Sequence, residues 1–212
     1  MADDSVPGGE GGGKSFEVLC GVLIAIFAAA LAITDLGAGK FGDDQLIAHN
    51  EKNGAYLWYQ SKGIKETLVE GQRDTLQALV AAGSIRPEQI PAVQELIGKL
   101  NADVGRYGKE KREILLGSSV VGRENWAQDV DGKLGEVIGG RQWEARARAL
   151  NDAGDVFNSA TFFLQLCLVF GAISLVIQRQ TVRRAFFWGM NVLGATGAVF
   201  SALAFYQAMH VP

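Results

Sequence analysis

Three uninterrupted apolar runs constrain this chain more than any other feature of it. Phe16–Leu36 carries one acid near each end, Glu17 and Asp35, while Phe157–Ile177 and Ala185–Met209 carry no charge at all. The hydrocarbon core of a bilayer needs roughly 20 helical residues to cross, and in lipid only a helix or a closed barrel satisfies its own backbone. The runs therefore predict transmembrane helices at residues 16–36, 156–178 and 185–209. Ala28–Ala32 offers small residues for signal cleavage, but the leader is acidic and glycine-rich with Lys14 as its only base, so the first run reads as retained. Residues 1–15 read as a flexible glycine-rich terminus.

The basic residues set an expected orientation. The short loop at 179–184 holds Arg179, Arg183 and Arg184, and Lys14 falls on the same side because two spans separate them. Short basic loops face the cytoplasm. Arg141, Arg146 and Arg148 oppose this from the other side, but long loops are translocated largely regardless of charge. The expected localisation is thus the inner membrane of a bacterium, with the N-terminus cytoplasmic and residues 37–155 periplasmic.

Those intervening residues read as an all-α domain. Ile90, Val93, Ile97, Leu100, Val104, Tyr107 and Ile114 follow a 3-4 alternation broken only at Lys111, which is a heptad seam. A less regular series runs Leu57, Ile64, Leu68, Leu76, Leu79, and a third, Trp143, Ala147, Leu150, Phe157, passes directly into the second span. Nothing alternates with period two, so no sheet is expected. Gly83-Ser84-Ile85-Arg86-Pro87 reads as a stop, a cap and a proline in the first turn of the next helix. Gly117-Ser118-Ser119 and Gly139-Gly140 are two further candidate breaks, the first read as a turn and the second as either a break or only a kink. A helix from Asp43 to Ala82 rises roughly 60 Å, and an unbroken return from Pro87 to Asp155 would rise roughly 100 Å. The return is therefore either broken near Gly117 and Gly139 or longer than its partner and kinked. In both cases an antiparallel helical hairpin, or coiled-coil stalk, stands on three transmembrane helices.

Within that stalk, Tyr56-Leu57-Trp58-Tyr59 is an aromatic cluster among charges. On a helix continuing from the first span, Trp58 would sit roughly 30 Å beyond Leu36, too far for an interfacial belt unless Gly37, Gly39 and Gly42 bend the chain down. The alternatives are stalk packing, with Leu57 and Ile64 facing the core, or a subunit interface formed by Tyr56, Leu57, Trp58, Tyr59 and Ile64. The stretch "IAHNEKNGAYLWYQSKGIKETL", placed after one N-terminal span and followed by "RYGKEKREI" and a C-terminal membrane hairpin, resembles a bacterial membrane family defined as a domain of unknown function, DUF4337. The matching positions are Asn53, Ala55 to Gln60, and Ser61-Lys62, with departures at Gly54 and Gly63. The resemblance implies three spans and a helical domain. It implies no reaction.

Chemistry is sparse. Two histidines, His49 and His210, lie in different segments, and both cysteines, Cys20 and Cys167, lie inside predicted spans, so neither a metal set nor a structural disulfide is expected. "GAGKFG" at Gly37–Gly42 satisfies G-x-G-x-x-G but follows a membrane helix instead of a strand, and reads as a flexible exit loop. A formal net charge of -3 gives no field for nucleic acid. No catalytic, cofactor or small-molecule site is expected. Glu17, Gln165, Asn191 and Thr196 are polar groups within the spans, expected to bond one another between helices or to line a pore. Small residues at Gly21, Ala25 and Ala29, and at Gly194, Ala198 and Ser201, suggest close helix packing. The expected protein is a non-enzymatic scaffold in the lipid bilayer, forming a homo-oligomer or joining another membrane complex. A channel or transport accessory is the alternative.

Overall fold

The computed structural model describes residues 10–211, with side chains from Ser15 onward. Residues 1–9 of the expected flexible terminus lie outside the described residues, and the chain is helical from Glu10. The order is α1 (Glu10–Ala81), α2 (Ile90–Leu116), α3 (Ser118–Val121), β1 (Asp129–Val130), β2 (Lys133–Leu134), α4 (Gly140–Val176) and α5 (Gln180–Met209). Three of these helices, α1, α4 and α5, are long and apolar enough to cross a membrane. The described residues form two compact units, one of residues 10–45 with 148–211 and the other of residues 46–147.

The first unit is an aromatic and glycine-packed bundle of three helical segments. Phe157 is buried with Ala153, Ala204 and Ala208, and Phe41 and Phe205 close over them. A second cluster buries Cys20, Cys167 and Met190. Gly37–Gly42 is not an exit loop: α1 runs straight through it as helix. Glycine costs a helix interior about 1 kcal/mol relative to alanine, yet a Cβ at Gly37 would stand 2.4 Å from the Phe205 ring. The residue thus makes room for a ring. Gly194 does the same for Phe27. The small residues of the first run do not serve this purpose, because Gly21, Ala25 and Ala29 all face outward. The loop between α4 and α5 is also shorter than 179–184. Only 177–179 leaves the helix, and Arg183 and Arg184 ride on the first turns of α5.

The second unit is a helical hairpin with a folded loop. α1 ends in a glycine cap: Gly83 has φ +66°, the Ser84 N–H donates to the Leu79 carbonyl and the Gly83 N–H to Val80, the paired bonds of a Schellman motif. Pro87 opens a 3-10 turn before α2, but the residue capping it is Arg86, with no side-chain bond, so Ser84 is not the cap. The return path is broken, with Gly117 at φ +94° ending α2 and α4 starting at Gly140, so Gly139-Gly140 is a break and not a kink. Between them lies a minimal sheet where none was expected. Val130 and Lys133 pair across Asp131 (φ 53°) and Gly132 (φ 83°). Two left-handed residues in sequence are what a two-residue hairpin demands, and Asp-Gly supplies them.

Candidate functional site

The two predicted seams of the hairpin fare differently. All seven residues of the α2 series are at least half-buried, and Ile114 is fully so. The α1 series splits: Leu57, Ile64 and Leu68 are 65%, 71% and 61% exposed, so Leu57 and Ile64 do not face the stalk core, whereas Leu76 is half-buried beside Leu96 and Leu100. Nearer the loop, what α1 turns toward α2 is polar. Lys62 of α1 pairs with Glu110 of α2 at 2.6 Å, and Lys111 of α2 pairs with Glu66 of α1. Glu110 is 7% exposed and is also 3.7 Å from Arg106.

Aromatic rings complete this seam. The Lys111 ammonium lies 5.4 Å from the Tyr59 ring centre, and Lys62 and Arg106 lie 5.9 and 5.1 Å from that of Tyr107. Ring faces carry negative charge that holds a cation where water is scarce. The hydrogen bond from Lys111 to Glu66, followed by attraction to Glu66, Tyr59 and Glu70, outweighs burial and raises the Lys111 pKa above the ordinary lysine value. These two pairs and the rings beside them bridge α1 and α2 across consecutive turns.

The remaining aromatics serve the folded loop. Tyr56 donates from its hydroxyl to Glu144 at 3.0 Å. Trp58 borders a cavity of about 290 Å³ shared with Val130, Ile138 and Trp143. At the base of the loop Glu113 is wholly buried. Its carboxyl group accepts the N–H of Ala127 (2.7 Å), the N–H of Gln128 (2.8 Å) and the hydroxyl of Ser118 (2.7 Å). Ser118 in turn accepts the Val137 N–H at 2.9 Å, and its carbonyl accepts the Trp126 indole N–H at 2.9 Å. With no surface in water, Glu113 ties residues 118, 127 and 128 to the end of α2 through these three bonds. Neither the apolar periodicity nor any motif marked it, although Asp131-Gly132 could have announced the loop's hairpin.

In the first unit the four predicted intramembrane polar residues are not brought together. Glu17 and Gln165 face outward, whereas Asn191 and Thr196 donate to the carbonyls of Phe187 and Val192 in their own helix, each at 2.8 Å. The links between helices come from other residues: Thr34 with Ser201 at 2.8 Å, Cys20 with Ser174 at 3.1 Å, and Thr161 donating to Asp35 at 3.0 Å. Sequence reading passed over Thr34 and Ser174, and took Ser201 only as a small packing residue, because short hydroxyl residues barely interrupt an apolar run. Among the described residues, no group of three or more His, Cys, Asp or Glu could hold a metal ion.

These features define a class: a helical protein with three helices fit to cross a membrane and a helical hairpin bridged by partly buried ion pairs. Residues 16–207 match the family model described as Domain of unknown function (DUF4337), and the chain belongs to that family. No curated protein and no solved structure matches the chain significantly.

Proposed function

We propose that this chain is an integral membrane protein with no catalytic role, which self-associates or scaffolds another membrane complex through its extramembrane hairpin. One observation carries the reading: α1 turns ion pairs inward and leaves Leu57, Ile64 and Leu68 outward. Each buried aliphatic side chain contributes about 1.5–3 kcal/mol, so an outward row of them favours association. The basic residues Arg179, Arg183 and Arg184 support a bacterial inner-membrane location with the hairpin in the periplasm. Amine-reactive cross-linking in native membranes tests the proposal, since the hairpin carries exposed Lys65, Lys99 and Lys109. Adducts larger than the monomer are expected. A monomer alone, with nothing attached, would contradict it.

Gln165 favours a second reading. It lies within an apolar stretch of α4 and faces outward, where an amide in lipid seeks a polar partner or water. In an oligomer it would line a path for ions. Liposome flux abolished by Gln165→Leu would support this channel, and absence of flux would remove it.

A further inference from the structure

The exposed apolar residues of α1 belong to a longer register. Counting alternately three and four residues from Ile47 to Ala82, every position reached is exposed, Leu57, Ile64 and Leu68 among them. This spacing is the a and d pattern of a coiled coil. On the opposite side of the same turns, Tyr59, Glu66 and Arg73 repeat every seven residues and meet α2. Tyr59 lies against Lys111, Glu66 pairs with Lys111, and Arg73 donates to Asn101 at 3.3 Å. One face of α1 is thus used within the chain. The outward face carries a second seam, of which Gly54 also borders the loop cavity at Trp143, and Leu68, Gly71 and Thr75 line a groove with Leu96 and Leu100 of α2.

We infer that this outer seam is the contact with a second copy of the same chain, the two α1 segments from Ile47 to Ala82 lying parallel, with Leu57, Ile64 and Leu68 each opposite its own counterpart. The inference rests on the self-association reading above and names its surface.

Four features of the seam select this occupant. Its flanks are mostly polar, Asn53, Gln60, Lys65 and Asp74 among them, with Leu46, Trp58 and Leu79 as the large apolar exceptions, whereas a helix lying on lipid needs a wide apolar face; a strip centred on a and d positions is what a matching helix covers. Small residues, Gly54, Ser61, Gly71 and Ala78, fall at seam positions between the large ones, which lets two backbones approach. In sequence the same spacing recurs at Val22, Ile26, Ala29, Ile33 and Leu36 of the first apolar run, all exposed. A partner bearing one repeat through both an apolar and a polar stretch is this chain itself, and two copies inserted with one topology run in one direction. Finally, the segment rises roughly 54 Å and a helix is roughly 10–12 Å across, so the face offers on the order of 600 Å², comparable with the roughly 800 Å² per partner of a stable interface.

The test uses the full chain in native membranes with Cys20 and Cys167 replaced by alanine. A disulfide forms only where Cα atoms approach within about 7 Å. Ser61→Cys, on the seam, is expected to give at least about tenfold more oxidised dimer than Gln77→Cys, an exposed position off it. Circular dichroism of both variants checks that the helices remain. Ser61→Cys that fails to cross-link, in membranes where amine-reactive reagents still join copies, overturns the seam and leaves self-association standing. Ser61→Cys that joins only to co-expressed Gly71→Cys overturns the parallel register. Loss of both the disulfide and the amine adducts removes inference and function together.

Discussion

The two units invert each other. In the bundle of residues 10–45 and 148–211, apolar residues and glycines meet inside, and helices are linked by single hydroxyl and thiol contacts such as Thr34–Ser201 and Cys20–Ser174. In the hairpin unit α2 buries its apolar seam down to Ile114, but α1 meets it through charged pairs and leaves Leu57, Ile64 and Leu68 outside. The reason is the solvent. Where lipid surrounds a helix, outward apolar residues cost nothing and packing must come from shape. Where water surrounds it, inward charges cost desolvation and outward aliphatics forgo burial. That contrast is what the proposed association of the hairpin rests on.

The largest effect should come from Glu113. Glu113→Ala strips three donors in residues 118–128 of their acceptor, and each orphaned buried group costs about 1–3 kcal/mol. Loss of about 3 kcal/mol or more is expected in thermal unfolding of the hairpin, with protease cutting between residues 117 and 139. The bundle should fail by a different route. Gly37→Ala places a methyl 2.4 Å from the Phe205 ring, and overpacking of this sort costs about 1–3 kcal/mol, read as a lower melting temperature in detergent. If Gly37→Ala were neutral, shape would not govern that unit.

A smaller effect tests the charged joint. The folded-state pKa of Lys111 is raised, so its contribution is fully present below the ordinary lysine pKa and is lost as pH rises through the elevated value. Partly exposed pairs contribute about 1 kcal/mol or less, so a modest drop in hairpin stability above about pH 10 is expected. Lys111→Met should flatten that part of the profile. An unchanged profile would mean that the Lys111–Glu66 pair does not join the helices.

How much of this the sequence disclosed follows from what periodicity encodes. The α2 seam from Ile90 to Ile114 was legible because its apolar face and its buried face coincide. On α1 the same logic misled: Leu57 and Ile64 mark a face that wants covering, but not who covers it, and Lys62 and Glu66 do not look like a core until paired across the hairpin. Glycine misled at Gly37–Gly42, where a signal that usually means loop was spent on admitting Phe205. The buried Glu113 was invisible because two of its three donors are backbone groups 14 and 15 residues away, which composition does not record.

The central claim is that α1 folds with one face and associates with the other. Leu57→Asp together with Ile64→Asp changes only outward residues, so hairpin stability should shift by about 0.5 kcal/mol or less, the smallest effect of the series. The decisive measurement is the mass of this variant beside the unaltered chain in nanodiscs, with a helix melt on the same samples. Each polypeptide is 22.7 kDa, and the account predicts two copies for the unaltered chain and one for the variant, with coincident melts. A variant that keeps its assembly but melts early would show that Leu57 and Ile64 hold the fold, and would contradict the account.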